Sequence, residues 1–410
     1  MRIGIIIDPA TQPPWIRHVI DHVREHHELA FVNDAQTPAD VVLAFAPFSG
    51  DAWTIEQDVG AMTAVIRFRD EIIASTTAAQ RPATRKVAAE RLGWRTASMI
   101  EHALKRSEPE RRAPAYRQPP TTNPLLALAR EKIRYRLMRE HWSIAFRFGD
   151  GAFRELVPPR NRLWADPFVV ADGDRAWVFV EELVYPVKRG FISVLEVRRD
   201  GTSSAPRPVL ERPYHLSYPC VFRWNGAFYM VPETSANHTI ELYRCTDFPL
   251  RWEPDTVLMR DIRAVDSTIF EAHGRWWMYY ATTGSDHDKD FDRLWLHHAP
   301  SPRGPWAPHR LNPLLCDVVG GRPAGRPFVR DGRLLRAGQI GTPWYGYAMQ
   351  LREIVTLTPD AWEEREVSIL RPDWARGLDG THTLNVDTDV TVIDGLRMRW
   401  GSRRARASCQ

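Results

Sequence analysis

The sequence predicts a mainly β protein, a five-bladed β-propeller preceded by a small α/β domain. After residue 141, a pattern of two apolar strands joined by a glycine-bearing turn occurs five times. Tryptophan follows the same division, because only three of the 16 tryptophans precede residue 141. The first 105 residues show instead short isoleucine- and valine-rich runs next to a segment of helical periodicity, which is typical of an α/β unit.

Composition is that of an ordinary globular protein, with 43% hydrophobic and 26% charged residues. No apolar run reaches the length of about 18 residues that a spanning helix needs. The net charge of +4 comes without a basic cluster, so nucleic acid is not an expected partner. Four scattered cysteines and an N-terminus unlike a secretion signal favour a cytoplasmic protein. We expect no cofactor and no metal site.

Residues 1–105 are predicted to form the small α/β domain. The run from Arg2 to Asp8 is typical of a buried parallel strand, and the segment after Pro13 has helical periodicity. Two more strands are expected at 29–32 and 41–45. No glycine-rich phosphate loop follows the first strand, which favours a structural role over nucleotide binding.

Residues 106–140 are predicted to be a linker rich in proline and arginine, followed by a basic helix. Four prolines lie between residues 106 and 122, and the pair Asn123-Pro124 is a typical helix start. Five basic and two acidic side chains occur from 130 to 140. We favour a helix packed on a domain with a solvated basic face. Peripheral contact with an anionic membrane surface is the alternative.

The repeats define the predicted blades. Hairpins are expected at 165–182, 218–233, 265–283, 324–339 and 382–400, with turns at Gly173, Gly226, Gly274, Gly332 and Gly395. Further strands with alternating polarity follow at 190–197, 238–245, 292–299 and 346–353. A hairpin cannot bury its faces alone, so stacked units over 141–403 predict five blades with aromatic layers between them. Residues 141–149 should supply the strand that closes the ring, and 404–410 form a basic tail.

Candidate site residues follow from the propeller geometry, because the first strand of each blade lines the central channel. Strand starts and hairpin ends then gather at one mouth, although they are far apart in sequence. The chemically active residues expected at these positions are Asp166, Tyr218, Asp266, Arg322, Arg326, His382, Glu181, Glu182, Glu233 and Gln339.

Glycosidic-bond chemistry uses two carboxyl groups whose pKa values are held apart. We therefore predict Asp166, Asp266 and Glu233 as catalytic, with Asp166 and Asp266 facing each other across the channel mouth. Arg322 or Arg326 would keep one carboxylate ionised, while burial raises the pKa of the other. Residues predicted to bind substrate are Glu182, Tyr218, Arg322, Arg326 and His382. Tyr218 and a tryptophan-rich rim would stack on a sugar ring.

Two resemblances extend this interpretation. The run Trp-Ala-Asp-Pro around Asp166 resembles the first-blade motif of invertases, levansucrases and arabinanases, and residues 301–306 (SPRGPW) resemble their blade connections. The resemblance implies a catalytic carboxylate at Asp166. The chain departs from that pattern at Tyr218, where those enzymes have an acid in the second blade. It departs again at Asp266, where they usually have glutamate.

Residues 141–400 resemble more closely the N-terminal region of plant glucosamine inositolphosphorylceramide transferases and their bacterial relatives. The matching runs are HLSYPCVFRWNGAFYMVPETS, GRWWMYY, GPWAPHRLNP, RPAGRPFVRDG and GTHTLN. This resemblance implies an activity on sugar conjugates. It also implies that residues 1–105 are a shortened formyltransferase-like segment, and that the transferase chemistry of the plant enzymes belongs to a separate C-terminal domain.

Three functional interpretations remain open from the sequence. The leading one is a carbohydrate-active enzyme, leaning towards glycosyl transfer in glycolipid or polysaccharide assembly, with glycoside hydrolysis as its variant. The second is a non-catalytic glycan-binding module that works with a separate transferase. The third assigns the activity to residues 1–105 and treats the propeller as a scaffold; the missing phosphate loop argues against it.

Overall fold

The structure is a computed structural model that describes residues 2–6, 20, 24, 28–31, 41–44, 53–58, 63–68, 71–78, 85–105, 137–283 and 290–400. Its N-terminal part is one six-stranded sheet and a helix. The strands are β1 (Arg2–Ile6), β2 (Glu28–Phe31), β3 (Val41–Ala44), β4 (Trp53–Asp58), β5 (Thr63–Phe68) and β6 (Glu71–Thr77), followed by α1 (Arg85–Leu104).

The order of strands in this sheet is β2-β1-β3-β4-β5-β6. Strands β1 to β4 are parallel to one another, and the pairings of β4 with β5 and of β5 with β6 are antiparallel. Strands β1 to β3 lie where the apolar runs predicted strands, whereas β4 to β6 and α1 were not predicted. The helix predicted after Pro13 lies almost entirely outside the described residues. The likeness to a formyltransferase stays a prediction.

Strands β7 to β28 form five antiparallel sheets, which confirms the five-bladed propeller. Blade one is β9 (Arg162–Asp172), β10 (Arg175–Val184), β11 (Gly190–Arg198) and β12 (Arg207–Leu210). Blade two is β13 (Ser217–Trp224), β14 (Ala227–Glu233), β15 (Thr239–Asp247) and β16 (Arg251–Arg260). Blade three is β17 (Val265–Ala272), β18 (Arg275–Thr282), β19 (Arg293–Ala299), β20 (Ala307–Pro308) and β21 (Leu315–Cys316).

Blade four is β22 (Val319–Pro323), β23 (Phe328–Arg330), β24 (Arg333–Ile340), β25 (Ala348–Leu357) and β26 (Trp362–Leu370). Blade five combines β27 (Leu384–Asp387) and β28 (Val390–Trp400) with β7 (Met138–Phe148) and β8 (Arg154–Leu156). The two ends of the propeller thus share one sheet, which closes the ring.

Strand β7 confirms the prediction that residues 141–149 close the ring, but it begins earlier than expected. Its pairing with β28 extends from Phe148 opposite Val390 to Met138 opposite Trp400. Residues 138–140 are therefore strand, and the helix predicted up to 140 is wrong at this end. The remainder of that segment, 106–136, lies outside the described residues. Both faces of β7 are buried because blades one and four pack on either side of blade five.

Four of the five glycine turns lie where the sequence places them. Gly226, Gly274 and Gly332 have φ of +78°, +67° and +72° and each follows another residue of positive φ, as in type I′ hairpin turns. The fifth assignment is wrong, because Gly395 lies inside β28. The turn there is Thr388-Asp389. Close packing excludes a side chain at Gly395, since an added Cβ would lie 2.6 Å from the Trp374 ring.

The N-terminal unit contacts blade three through α1. The Arg95 side chain is 1% exposed, and its Nε donates to Asp292 Oδ2 over 2.8 Å, while Nη2 lies 3.4 Å from Asp290 Oδ2. Lys105 Nζ donates to the carbonyl of Asn312 over 3.0 Å. Within the described residues, no helix has the length and apolar character required to cross a bilayer.

Candidate functional site

Three blades present a side chain to the channel through the same β-bulge. Two residues face a single partner at Asp166-Pro167, at Tyr218-Pro219 and at Asp266-Ser267. The first residue of each pair has a left-handed backbone, with φ of 51°, 46° and 53°. A bulge redirects one side chain without ending the strand. The repeated geometry therefore turns three strand starts towards one centre.

Asp266 lies at the most polar point of this centre and is 1% exposed. Arg322 donates to both carboxylate oxygens, with Nη2 at 3.3 Å from Oδ1. Gln339 Nε2 donates to Oδ2 over 2.9 Å. A guanidinium and an amide donor both favour the ionised form of a carboxylate. The structure thus pairs Asp266 with Arg322, the first of the two arginines considered from the sequence.

Asp166 lies in a contrasting environment. Its Oδ1 accepts from the Thr383 hydroxyl over 2.8 Å and is 3.8 Å from His382 Nε2. Burial raises the pKa of Asp166 to about 7, and the charge of Asp266 adds to this, while His382 acts in the opposite direction. Asp166 and Asp266 begin equivalent strands, yet Asp266 contacts a guanidinium and an amide donor, whereas Asp166 contacts a hydroxyl donor.

His382 is held by a fully buried carboxylate, Asp394. His382 Nδ1 lies 2.5 Å from Asp394 Oδ2, and Asp394 Oδ1 accepts the backbone N–H groups of His382 and Thr383. The imidazole also stacks on Trp142, with ring centroids 4.0 Å apart. Burial opposes the charged ring, but the Asp394 charge and hydrogen bond outweigh it and raise the pKa of His382 to about 9.

Glu233 and Glu181 complete the acidic group. Glu233 Oε2 accepts the backbone N–H of Asp266 over 3.3 Å. Burial and the Asp266 charge raise the pKa of Glu233 to about 8. His215 Nδ1 accepts the backbone N–H of Gly190, so its proton is on Nε2, which lies 3.3 Å from Glu181 Oε1. Burial lowers the pKa of His215, but the Glu181 contact raises it overall.

Three predicted binding residues have other contacts than expected. Tyr218 is fully buried, with its hydroxyl bonded to Thr268 Oγ1 over 2.8 Å and to the Gly325 N–H over 2.6 Å. Its ring cannot stack on a sugar. Arg326 donates to the carbonyl of Val221 and contacts no carboxylate among the described residues. The predictions that Tyr218 stacks on a sugar and that Arg326 pairs with a carboxylate are therefore wrong.

Glu182 is also separated from the acidic group. Arg162 Nη1 and the Ser193 hydroxyl donate to its carboxylate over 2.6 and 2.7 Å. Successive side chains on a strand point to opposite faces, so Glu181 and Glu182 lie on different faces of the sheet of blade one. Glu181 is the member of the pair whose charge acts on Asp166.

Asp394, Thr383 and His215 belong to the site but were absent from the sequence prediction. Asp394 did carry a signal, because it is the single charged residue in the apolar run VTVID. A charged residue in such a run is seldom buried without a partner. Nothing in the local sequence indicated that the partner would be His382.

Asp166, His382 and Asp394 could also hold a metal ion. One ligand atom from each lies within 4.8 Å of the others, and carboxylate and imidazole ligands suit several divalent cations. The imidazole would first have to lose its proton, since the pKa of His382 is raised to about 9.

The fold and the site define a five-bladed propeller with a buried centre of carboxylates, an arginine and a histidine at the channel mouth. Residues 153–387 match the family described as glucosamine inositolphosphorylceramide transferase 1, N-terminal. The chain belongs to this family.

Plant relatives match the same region. Glucosamine inositolphosphorylceramide transferase 1 of Arabidopsis thaliana is 35% identical over 216 residues, which are 51% of this chain and 28% of the plant protein. The protein of that name from Oryza sativa subsp. indica is 30% identical over 256 residues, or 59% of this chain and 34% of the relative. The chain thus spans about a third of the length of these relatives.

Solved structures with a similar arrangement include glycoside hydrolases. A thermostable family-43 glycoside hydrolase has a TM-score of 0.43 at 12% identity, covering 62% of this chain and 92% of its own. A family 117 glycoside hydrolase of the marine bacterium Zobellia galactanivorans has a TM-score of 0.42 at 10% identity, covering 62% and 90%.

Proposed function

We propose that the propeller is a carbohydrate-active enzyme that transfers a sugar residue between glycosidic bonds during assembly of a glycoconjugate. The observation that carries the proposal is the contrast among three carboxyl groups. Asp266 is bound by Arg322 and Gln339, whereas the pKa values of Asp166 and Glu233 are raised to about 7 and about 8. One ionised and one protonated carboxyl is the arrangement that glycosidic-bond chemistry uses.

In this proposal the Asp266 carboxylate stabilises the positive charge that develops at the anomeric carbon as the bond to the leaving oxygen breaks. Asp166 gives its proton to that oxygen. Glu233, which is next to Asp266, is a second carboxyl group that is protonated. The proton returns to the carboxylate of Asp166 from the acceptor hydroxyl, whose oxygen bonds to the anomeric carbon. Transfer to water in place of an alcohol would be hydrolysis, and the same groups serve both reactions.

The test replaces single carboxyl groups and measures release of the aryl alcohol from a panel of aryl glycosides, with and without an alcohol acceptor. Asp166→Asn and Asp266→Asn should each lose about 10²-fold or more in turnover. Both should still fold, because asparagine tolerates the left-handed backbone at these positions. Asp172→Asn is the matched control, since Asp172 is exposed at the other end of β9. Undiminished activity of Asp266→Asn would refute the proposal.

A pH profile gives a second readout. A proton donor whose pKa is raised remains protonated until the pH passes that value. Turnover by the parent protein should therefore fall as pH rises through about 7 to 8, the values to which burial raises the pKa of Asp166 and Glu233. A rate that increases across this interval would contradict the assignment of these two groups as acids.

A glycan-binding module is the second candidate, and Tyr218 is the observation that favours it. The Tyr218 hydroxyl is bonded to Thr268 and Gly325 at the position where the resembling hydrolases have a second-blade acid. Saturable binding of a glycan by a parent protein that turns over none of the panel would favour this candidate. In that case a separate transferase would carry out the reaction. For this candidate too, we propose a cytoplasmic location and peripheral contact with a membrane.

A further inference from the structure

A second cavity lies where β7 begins and β28 ends in blade five. Its volume is about 450 Å³, and it is lined by Arg139, His141, Arg160, Arg399 and Trp400. Asp394 and Arg399 lie on the same strand, five residues apart. At about 3.3 Å per residue they are roughly 17 Å apart along the strand, so the arginine end of the cavity is separate from Asp394.

The cavity concentrates positive charge, although Arg139 Nη2 donates to the carbonyl of Arg160 over 3.0 Å and its guanidinium lies 3.9 Å from the centroid of the Tyr185 ring. Arg139 and Arg399 are directly opposite each other on β7 and β28, and like charges in that relation repel. The next pair, His141 and Arg397, differs because Arg397 donates to both oxygens of Glu155. Within residues 137–283 and 290–400, neither Arg139 nor Arg399 forms an ion pair with a carboxylate, and exposed Arg160 forms none either.

A buried nitrogen supplies the second, independent sign of a ligand. His141 is 2% exposed, and its ring bonds to the backbone of Pro159. Its Nε2 has no hydrogen-bond partner among the described residues, although it is buried. Buried polar groups are normally paired, so an orphaned nitrogen beside a cavity indicates a missing partner. Burial and then the charges of Arg399 and Arg139 lower the pKa of His141.

We infer that this cavity binds a phosphate group. Guanidinium groups form paired hydrogen bonds with phosphate oxygens, and three of them converge here from two strands and a turn. A phosphate between Arg139 and Arg399 would offset their repulsion, and His141 Nε2 can accept a hydrogen bond from a protonated phosphate or from an alcohol hydroxyl beside a phosphodiester. Trp400, 76% exposed at the end of β28, offers a flat apolar face to the part of the ligand next to the phosphate.

The experiment titrates the full chain with inorganic phosphate by calorimetry and compares the double variant Arg139→Gln/Arg399→Gln. The parent should bind phosphate saturably, and the variant should bind at least about tenfold more weakly through loss of two charge-assisted contacts. Arg244→Gln, at an exposed arginine on β15, is the matched control and should bind as the parent does. Arg160→Gln, at an exposed turn residue, should also weaken binding, and it tests the site even if the double variant does not fold.

Vesicles separate the two sources of a phosphate group. Sedimentation with phosphatidylcholine vesicles that contain phosphatidylinositol, and loss of that sedimentation in Arg160→Gln, would identify a lipid headgroup. Phosphate binding without sedimentation would identify a soluble phosphate ester. A parent protein that binds neither phosphate nor these vesicles would overturn the proposal, as would variants that bind both like the parent. These binding readouts do not depend on turnover at Asp166 or Asp266.

Discussion

At the scale of single residues, chemically similar side chains acquire opposite properties from their neighbours. Asp266 has a guanidinium and an amide donor, whereas Asp166 has a hydroxyl donor and a more distant imidazole. Burial disfavours the charged form of both carboxyl groups. The hydrogen-bond donors of Asp266 oppose this effect, whereas in Asp166 burial raises the pKa. Residue type alone therefore does not determine which carboxyl carries the proton.

The pair of His382 and Asp394 should make stability depend on pH. The pKa of His382 is raised from 6.5 to about 9, so its stabilising contribution is complete below about pH 6.5 and is lost as pH rises through 9. His382→Gln should therefore destabilise the protein by up to about 3 kcal/mol at pH 6 and by much less above pH 9. Urea unfolding at several pH values measures the difference between the two proteins.

The control for this prediction is His273→Asn, at an exposed turn with φ of 54° that asparagine tolerates. Its unfolding free energy should follow that of the parent at every pH. A difference between parent and His382→Gln that stays constant from pH 6 to pH 9 would show that stacking on Trp142, not charge, is what His382 contributes.

At the scale of elements, one bulge at a strand start is used in three blades, and a glycine replaces it in the fourth. Gly325 has φ of +123° and donates its N–H to Tyr218 of blade two. A Cβ at this position would lie 1.9 Å from the carbonyl oxygen of Leu384 in blade five. The absence of a side chain thus lets three blades approach one another at the channel.

Gly325→Ala should therefore be more destabilising than alanine at an open turn. Gly332→Ala is the matched control, because Gly332 also has positive φ but has nothing within 4 Å of an added Cβ. The control should cost about 1–2 kcal/mol through backbone strain alone. Gly325→Ala should exceed it by about 1–3 kcal/mol because backbone atoms must move apart. Equal melting midpoints for the two variants would contradict this account.

At the scale of the whole molecule, two long-range connections organise the chain. Strand β7 pairs with β28, so the ring is closed by residues more than 240 positions apart. Helix α1 reaches blade three through Arg95, whose guanidinium is buried against Asp292 and Asp290. A charge buried at such a contact needs its partners, because removing one leaves the others desolvated and unpaired.

Arg95→Leu should consequently lower the free energy of unfolding by about 3–5 kcal/mol. Lys105→Gln provides a graded control at the same contact, because Lys105 is 32% exposed and its loss should cost about 1 kcal/mol or less. The double variant Arg95→Leu/Asp292→Leu should recover part of the stability lost in Arg95→Leu. Urea unfolding measures all three variants, and an Arg95→Leu protein as stable as Lys105→Gln would disprove the role of Arg95.

The sequence by itself determined the class of fold, the number of blades and most of their strands. Alternation of apolar residues and two-residue turns such as Asn225-Gly226 are local signals, and local signals can be read along the chain. The same patterns brought Asp166, Asp266, Glu233, Arg322 and His382 to one region, since their blade positions are equivalent. They wrongly predicted a turn at Gly395. A glycine is needed there because Trp374, which lies outside that hairpin, leaves no room for a side chain.

Only the tertiary structure decided how the gathered side chains are used. The burial of Tyr218 depends on Thr268 and Gly325, which belong to two other blades. The raised pKa of His382 depends on Asp394, across the hairpin of blade five, and the choice of Arg322 over Arg326 depends on a contact with blade three. Hydrogen bonds and desolvation act over a few ångströms in space, so residues distant in sequence determine the charge and exposure of each group in the site.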